Sequence, residues 1–197
     1  MQWGDKIWFM ELIGNSPQET AYHEAGHIVI AAAVGLDLRP AGILLFEVKN
    51  VAAGMACYWE DGEVEPVLQA LRAGQMAQQK QFPNSETRGG VPDAQAFSRA
   101  VNQIYPPGHV GIMLEKIGIQ VLELFAKYWR GVVEVAEALL KKDWAGVEVA
   151  DGKYLSADER LVVKRKKQLK GNEIVEILER HGILARVRSA DPDARSS

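Results

Sequence analysis

Disulfide-forming cysteines, long apolar runs and a leader-like N-terminus are all missing from this sequence of 197 residues. The single cysteine, Cys57, excludes an internal disulfide framework and fits a reducing compartment. The most apolar stretch, Ile28 to Leu38, is too short to span a bilayer and contains Asp37. Met1 to Asn15 lacks a basic region followed by an apolar core, so it does not read as a signal peptide. We therefore expect a cytoplasmic protein with no membrane span.

A surplus of positive charge is also missing, since the formal net charge is -3. This balance gives no global reason to expect a nucleic-acid partner. The local exception is the basic run from Lys164 to Lys170, which is of a kind that can bind nucleic acid. We prefer the alternative that this run is a solvent-exposed helix face. The expected partners therefore do not include nucleic acid.

The most informative feature that is present is the segment His23-Glu24-Ala25-Gly26-His27, which fits the pattern His-Glu-x-x-His. Residues four apart lie on one face of a helix, so both imidazoles can bind one metal ion. Glu24 stands beside them, where it can reach a water on that metal. Two histidines leave room for a third protein ligand and for one open position, which a catalytic zinc needs.

The residues around this motif favour a helix. Ser16 is a good N-cap, Pro17 suits the first helical position, and Glu19 completes a Ser-x-x-Glu capping box. Residues 20–34 contain no proline and are rich in alanine, and Gly35 is a natural stop. A chance match, with two satisfied buried histidines, would rarely fall inside a helix with such caps. We therefore favour a metal site.

Apolar periodicity predicts a mainly α fold, with a small β element after the motif helix. The predicted strands are Ala41 to Val48 and Met55 to Trp59. The further predicted helices are Glu63 to Gln81, Asp93 to Ile104, His109 to Lys142, Ser156 to Leu169 and Asn172 to Arg180. We expect one domain over residues 1–185, with the apolar segment 1–15 packing on its body, and a flexible polar tail over 186–197. The alternative for residues 1–15 is a role in binding a partner.

Candidates for the third metal ligand are two histidines and several carboxylates. Asp93 is the best of them, because it follows the glycine-containing loop 88–92 and opens a predicted helix. The competing explanation is that this aspartate only caps its helix, and from the residues alone the two are balanced. Glu86 is the next candidate, on the same loop. His109 and His181, at a helix start and a helix end, fit capping or surface positions better.

The segment Thr20 to His27 closely resembles the start of the peptidase domain of the FtsH-type zinc proteases. Weaker similarities follow in the order that the family shows, at Leu71 to Ala77, Gly89 to Asp93 and Trp129 to Leu140. The resemblance implies a helical FtsH-like peptidase domain. It also implies that Asp93 is the third zinc ligand beside the two histidines.

The sequence departs from that family in one important respect. Members of the family usually carry a membrane anchor and an ATPase module before the peptidase, and this sequence has no Gly-x-x-x-x-Gly-Lys-Ser/Thr phosphate loop. The Leu-Gly-Gly segment of the family is only partly kept in Leu71-Arg72-Ala73-Gly74. We therefore expect a stand-alone peptidase domain that does not itself use ATP.

The expected function is that of a zinc-dependent endopeptidase acting on a protein or peptide substrate. His23, His27 and Asp93 would hold Zn2+, and Glu24 would act as the general base. Either predicted strand could bind an extended substrate by adding it to a sheet edge, or the strands could only cover the motif helix. Alternatives for the function are a zinc-containing regulatory or binding module with little proteolysis, or the peptidase subunit of a separate ATPase. Possible protein partners are further copies of this chain or that separate ATPase.

Overall fold

A computed structural model describes residues 11–48, 51–60, 63–85, 91–106, 108–146 and 163–189. In these ranges the helices are α1 (Pro17–Ala33), α2 (Val64–Gln81), α3 (Val91–Ile104), α4 (Val110–Lys141) and α5 (Gly171–Arg180). The strands are β1 (Glu11–Asn15), β2 (Leu38–Val48), β3 (Val51–Tyr58), β4 (Ala145–Gly146) and β5 (Val163–Leu169). None of the helices described is long and apolar enough to cross a membrane.

The strands form one antiparallel sheet in the order β1-β3-β2-β5-β4. The central strand β2 pairs with β3 on one side, from Leu38↔Tyr58 to Val48↔Val51. On its other side β2 pairs with β5, from Ile43↔Leu169 to Val48↔Val163. Strand β2 is therefore not an edge, so the suggestion that residues 43–48 add a substrate strand is wrong.

Helix α1 forms as the sequence predicts. The Ser16 hydroxyl accepts from the Glu19 backbone N–H, and the Glu19 carboxylate accepts from the Ser16 backbone N–H at 2.8 Å, which completes the capping box. Every residue from Thr20 to Ala32 is buried. A helix that is buried on all faces must be covered by several elements, and α2, α4 and the sheet together cover this one.

Close contact between α1 and α2 depends on small residues. A Cβ atom placed on Gly26 would lie 2.6 Å from the Ala77 Cβ and 2.7 Å from the Ala73 carbonyl oxygen. No side chain fits in that space, so glycine allows the two helix backbones to approach. The small residue Gly26, between the two motif histidines, therefore permits this close contact.

Helix α4 supplies much of the remaining core, as its periodicity predicts. Its buried apolar residues recur at steps of three or four, and they include Ile117, Val121, Phe125, Val132, Val135 and Leu139. They belong to the same core cluster as the buried residues of α1, α2 and α5. The long helix therefore packs against the motif helix.

The predicted mainly α class is wrong, because the chain described is a mixed α/β fold with a five-stranded sheet. The largest local error concerns the predicted helix Ser156 to Leu169. Residues 163–169 form β5, and residues 156–162 lie outside the described ranges. Lysine, arginine and glutamine suit a helix locally, but pairing with β2, distant in sequence, decides the structure of this run.

The basic run is therefore a strand and not a helix face. Arg165 forms an ion pair with Glu47 across the sheet, and Lys167 donates a hydrogen bond to the Leu140 carbonyl. Both cationic groups also lie over the ring of Trp144, 5.1 and 5.2 Å from its centroid. These contacts give two of the basic side chains partners within the chain.

Both ends of the predicted domain are described in part. Residues 11–15 form β1, which pairs with Ala52 to Gly54 of β3, and residues 1–10 lie outside the described ranges. At the other end, the predicted tail from residue 186 begins with ordered backbone pairing. Leu38 N–H donates to the Arg186 carbonyl at 2.8 Å, and Arg188 N–H donates to the Leu38 carbonyl at 2.9 Å. Residues 190–197 lie outside the described ranges.

Candidate metal centre

The two motif histidines and Asp93 meet in the interior of the molecule. His23 and His27 project from one face of α1, and Asp93 lies in the first turn of α3. The His23 Nε2 and His27 Nε2 atoms are 2.9 Å apart, and the Asp93 Oδ2 atom is 3.0 Å from the first and 2.8 Å from the second. Metal ions bind nitrogen and oxygen ligands at about 2.0–2.2 Å, so three atoms this close can share one ion. The group could therefore hold a metal ion.

Second contacts of the imidazoles fix which nitrogen of each ring faces this centre. His27 Nδ1 lies 2.7 Å from the Ala70 carbonyl oxygen, which can only accept, so Nδ1 carries the proton. His23 Nδ1 lies 3.2 Å from the Gln78 Oε1 atom and donates in the same way. A neutral imidazole that donates from Nδ1 has its lone pair on Nε2.

Two lone pairs and a carboxylate oxygen therefore converge on one small volume. Such a donor set repels itself unless a cation lies between its members, and imidazole and carboxylate are common ligands of divalent metals. The residues present thus fit a bound metal ion. The fit rests on the orientation of the rings as well as on the spacing of the motif.

Burial strengthens the electrostatic coupling of the three groups. His23 and His27 are buried, and Asp93 is only slightly exposed. Burial by itself raises the pKa of Asp93, but in the metal-free chain the charge of a protonated His27 and hydrogen bonds from the two imidazoles, which then carry a proton on Nε2, hold that pKa well below its usual range. For His27, burial lowers the pKa, and the charge of Asp93 more than offsets this, so the pKa is raised. Asp93 is therefore a carboxylate, as a metal ligand has to be.

Glu24 lies against the sheet, on the side of α1 that faces β3. The side chain is 3% exposed, and a Cβ atom placed on Gly54 would lie only 2.4 Å from the Glu24 Oε1 atom. Glycine at position 54 therefore leaves the space that the Glu24 carboxylate fills. The charge of Glu24 is also close enough to His27 to raise its pKa.

Gly74 has the same role for His27. A Cβ atom on Gly74 would lie 2.1 Å from the His27 Nε2 atom, so the imidazole packs directly on the backbone of α2. One turn earlier on this helix, the Ala70 carbonyl accepts from the same ring. Helix α2 therefore positions His27 through two contacts.

The other predicted candidates lie elsewhere. His109 is the N-cap residue of α4, where its Nδ1 atom lies 2.9 Å from the Pro106 carbonyl oxygen. His181 follows α5 and pairs with Glu134 of α4 at 2.7 Å. Glu86 lies outside the described ranges. Asp93 is thus the candidate that the structure brings to the two histidines.

Several residues of the centre were missed in the sequence. Gln78 is 1% exposed and bonds to His23, Gly54 makes room for Glu24, and Ser85 bonds to Gln78 at 2.9 Å. Gly54 carried a usable signal, since a glycine inside a strand often marks the close approach of another group. Gln78 and Ser85 carried none, because a glutamine in a helix and a serine after it are usually exposed.

Comparison with known proteins adds no family assignment to this geometry. No protein-family model matches the chain, and no curated protein matches its sequence.

Proposed function

We propose that the chain is a zinc-dependent endopeptidase, with His23, His27 and Asp93 as metal ligands and Glu24 as general base. The observation that carries the proposal is the convergence of two Nε2 lone pairs and one carboxylate oxygen within 3.0 Å, on a helix that also bears Glu24. A structural zinc site usually has four protein ligands. Three ligands with an adjacent buried carboxylate favour a catalytic site.

Zinc is the metal that this donor set suits best. Imidazole nitrogen is a common ligand of zinc, and two histidines with one carboxylate form a known catalytic set that leaves one position for water or substrate. Calcium and magnesium prefer sites made of oxygen atoms, which this one is not. Metal analysis of the purified protein tests the choice directly.

A bound zinc supplies Lewis acidity at the scissile carbonyl and lowers the pKa of a coordinated water to about 7. The residues of the chain then have separate tasks. Glu24 accepts a proton from the attacking water and later delivers it to the leaving amine. The Ala70 carbonyl and Gln78 hold the two imidazoles in the tautomer that presents Nε2.

Strand β3 offers a way to bind substrate. Within the described chain, residues 55–58 pair with β2 on one side, and β1 pairs only with positions 52–54 on the other. An extended peptide could pair with residues 55–58 on this side of β3. It would then lie beside the strand that carries Gly54, whose backbone borders the Glu24 carboxylate. A proline scan of a cleaved peptide tests this. Cleavage that no proline impairs, at any backbone-pairing position, would refute strand addition.

The resemblance to FtsH-type peptidases supports the proposal through the motif Thr20 to His27 and through Asp93. The proposal assigns no use of ATP to this chain itself, whose residues include no phosphate-binding loop of the type that the family's ATPase module carries. The alternatives are a zinc-containing regulatory or binding module and the peptidase subunit of a separate ATPase. They differ from the proposal in one measurable property, which is hydrolysis by the purified chain.

The deciding experiment measures bound metal and casein or peptide hydrolysis for the wild type and for Glu24→Gln. We expect one zinc per chain in both proteins, and a hydrolysis rate at least about 100-fold lower in the variant because the general base is gone. His23→Ala serves as the complementary control, since it should lose the metal as well as the activity. Full activity in Glu24→Gln would show that Glu24 is not the base.

A wild type that binds one zinc and hydrolyses nothing would favour a regulatory module or a dependent subunit. A wild type that binds no metal would refute the proposal altogether.

A further inference from the structure

Helix α4 carries a second apolar stripe, on the face opposite to the one that joins the core. Its large residues Ile112, Ile119 and Leu122 are 63%, 55% and 56% exposed. Ile119 lies two residues from each of the buried Ile117 and Val121, so these point about 160° away from it around the helix. A helix that is apolar on two opposite faces needs a partner on each. Within the described chain, only the core face of α4 is covered.

The spacing of these side chains makes the second face continuous. Steps of seven residues from 112 to 119 and of three from 119 to 122 are those of the a and d positions of a heptad. Ala126, one heptad after residue 119, is also exposed. We call the set of Ile112, Ile119, Leu122 and Ala126 the α4 stripe.

Glycines leave one side of the α4 stripe open. A Cβ atom placed on Gly111 or on Gly118 would meet no atom within 4 Å. Small residues beside an apolar stripe allow the backbone of another helix to approach closely. The α4 stripe therefore has the shape of a helix-packing surface as well as its apolar character.

Charged residues on the other side of the α4 stripe show which helix fits. Lys116 and Glu123 lie one heptad apart, with the middle of the stripe between them. If a second α4 packs antiparallel, with Ile119 of each copy against Leu122 of the partner subunit, each Lys116 comes within one turn of Glu123 of the partner subunit. The stripe is therefore complementary in charge to a reversed copy of itself.

The remaining charges favour the same direction. A parallel pair would place Glu115, at a d position, against Glu115 of the partner subunit, and like charges in the seam repel. In the antiparallel pair Glu115 lies instead within one turn of Arg130 of the partner subunit. Lys116 already pairs with Glu65 at 2.8 Å, but its side chain is 49% exposed and an ammonium group has three donors, so it can bind a second carboxylate.

We propose that the α4 stripe binds a second copy of this chain in an antiparallel dimer with two-fold symmetry. Such a dimer buries the same surface of both copies, so it requires a self-complementary patch. Six large apolar side chains leave water at its centre, and the charged pairs form its rim. A helix contact about 21 Å long is at the lower end of specific interfaces, so the dimer dissociates on dilution. None of the proposed metal ligands belongs to the stripe, so the dimer is independent of the proposed function.

Sedimentation equilibrium of the full chain, from micromolar to millimolar concentration, tests the proposal. We expect monomer at the low end and dimer at the high end. Ile119→Arg places a charge at the middle of the stripe and should raise the dissociation constant of the dimer by at least about 10-fold. Leu184→Arg is the matched control, because Leu184 is 90% exposed and lies outside α4, and it should associate like the wild type.

Two charge reversals test the antiparallel direction. Glu123→Lys leaves two lysines at these positions and Lys116→Glu leaves two glutamates, so each variant alone should dimerise more weakly than the wild type. In an equal mixture each lysine again faces a glutamate, and the two variants should form a mixed dimer about as tight as the wild-type dimer. Circular dichroism checks that both variants keep the fold. A mixture that associates no better than either variant alone would refute the antiparallel pairing.

A wild type that stays monomeric over the whole range would disprove the dimer. If that monomer also sedimented with phosphatidylcholine–phosphatidylglycerol vesicles and Ile119→Arg abolished this, the stripe would bind a membrane surface instead. A dimer that Ile119→Arg leaves unchanged would use another surface and would equally overturn the proposal. All of these readouts are independent of zinc and hydrolysis, so an inactive chain would refute the proposed function without deciding the dimer.

Discussion

Two glycines border the candidate site, and each makes room for one polar side chain. At Gly54 an added Cβ would lie 2.4 Å from Glu24 Oε1, so Gly54→Ala must displace the carboxylate. Misplacing a catalytic group by about 1 Å can cost about 100-fold in rate. We expect Gly54→Ala to keep its zinc and to lose hydrolysis by about that factor, as measured by metal analysis and peptide cleavage.

The control for this substitution is Gly146→Ala in β4, where an added Cβ meets no atom within 4 Å. That variant should keep wild-type activity. If Gly54→Ala hydrolyses peptide at the wild-type rate, Glu24 does not act from the position seen here.

Gly74→Ala should fail in a different way. Its Cβ would lie 2.1 Å from His27 Nε2, the atom that faces the metal position. The imidazole has to leave that place, so we expect the variant to bind zinc at least about 10-fold more weakly and to lose activity with the metal. Titration with zinc in the presence of a chelating dye measures this. Unchanged zinc affinity would mean that His27 binds metal in another orientation, or not at all.

At the scale of elements, the contact between α1 and α2 sets the geometry on which these residues depend. Alanine in place of a helical glycine ordinarily stabilises a protein by about 0.5–1 kcal/mol. At Gly26, however, the new methyl group would lie 2.6 Å from the Ala77 Cβ, and overpacking of this kind costs about 1–3 kcal/mol. The packing cost is the larger of the two, so we expect Gly26→Ala to unfold at lower urea concentration.

Gly118→Ala is the matched control for that prediction, because Gly118 lies in α4 and an added Cβ there meets no atom within 4 Å. It should show the ordinary gain in stability. A Gly26→Ala variant as stable as Gly118→Ala would mean that α1 and α2 are not held as closely as described.

The elements also show where sequence reasoning succeeds and where it fails. Helix α1 was predictable because its signals are local: the Ser16 cap, the capping box and the motif histidines lie within one helix. Strand β5 was not, because its pairing with β2 joins positions more than a hundred residues apart and its own residues favour a helix. Asp93 lies between these cases, since its neighbours allowed a cap or a ligand and the resemblance selected the ligand.

For the whole molecule, a metal at this centre would connect parts of the chain that are far apart in sequence. His23 and Asp93 are separated by 70 residues and belong to different helices. An ion that binds only the folded state stabilises it by about 2.7 kcal/mol when its free concentration is 100 times the dissociation constant. For a chain of this size each kcal/mol raises the melting temperature by roughly 2–4 °C.

We therefore expect saturating zinc to raise the melting temperature of the metal-free protein by about 5–10 °C, measured by calorimetry before and after removal with a chelator. Glu24→Gln should show the same rise, because Glu24 is not a ligand, and His27→Ala should show none. The single cysteine, Cys57, should not add a second zinc site to this comparison. Cys57 is buried, and burial raises its pKa to about 12, so it offers zinc no thiolate in the folded state. An equal rise in His27→Ala would place the bound zinc elsewhere on the molecule, and a rise in neither protein would mean that the His-His-Asp group does not hold zinc in the folded chain.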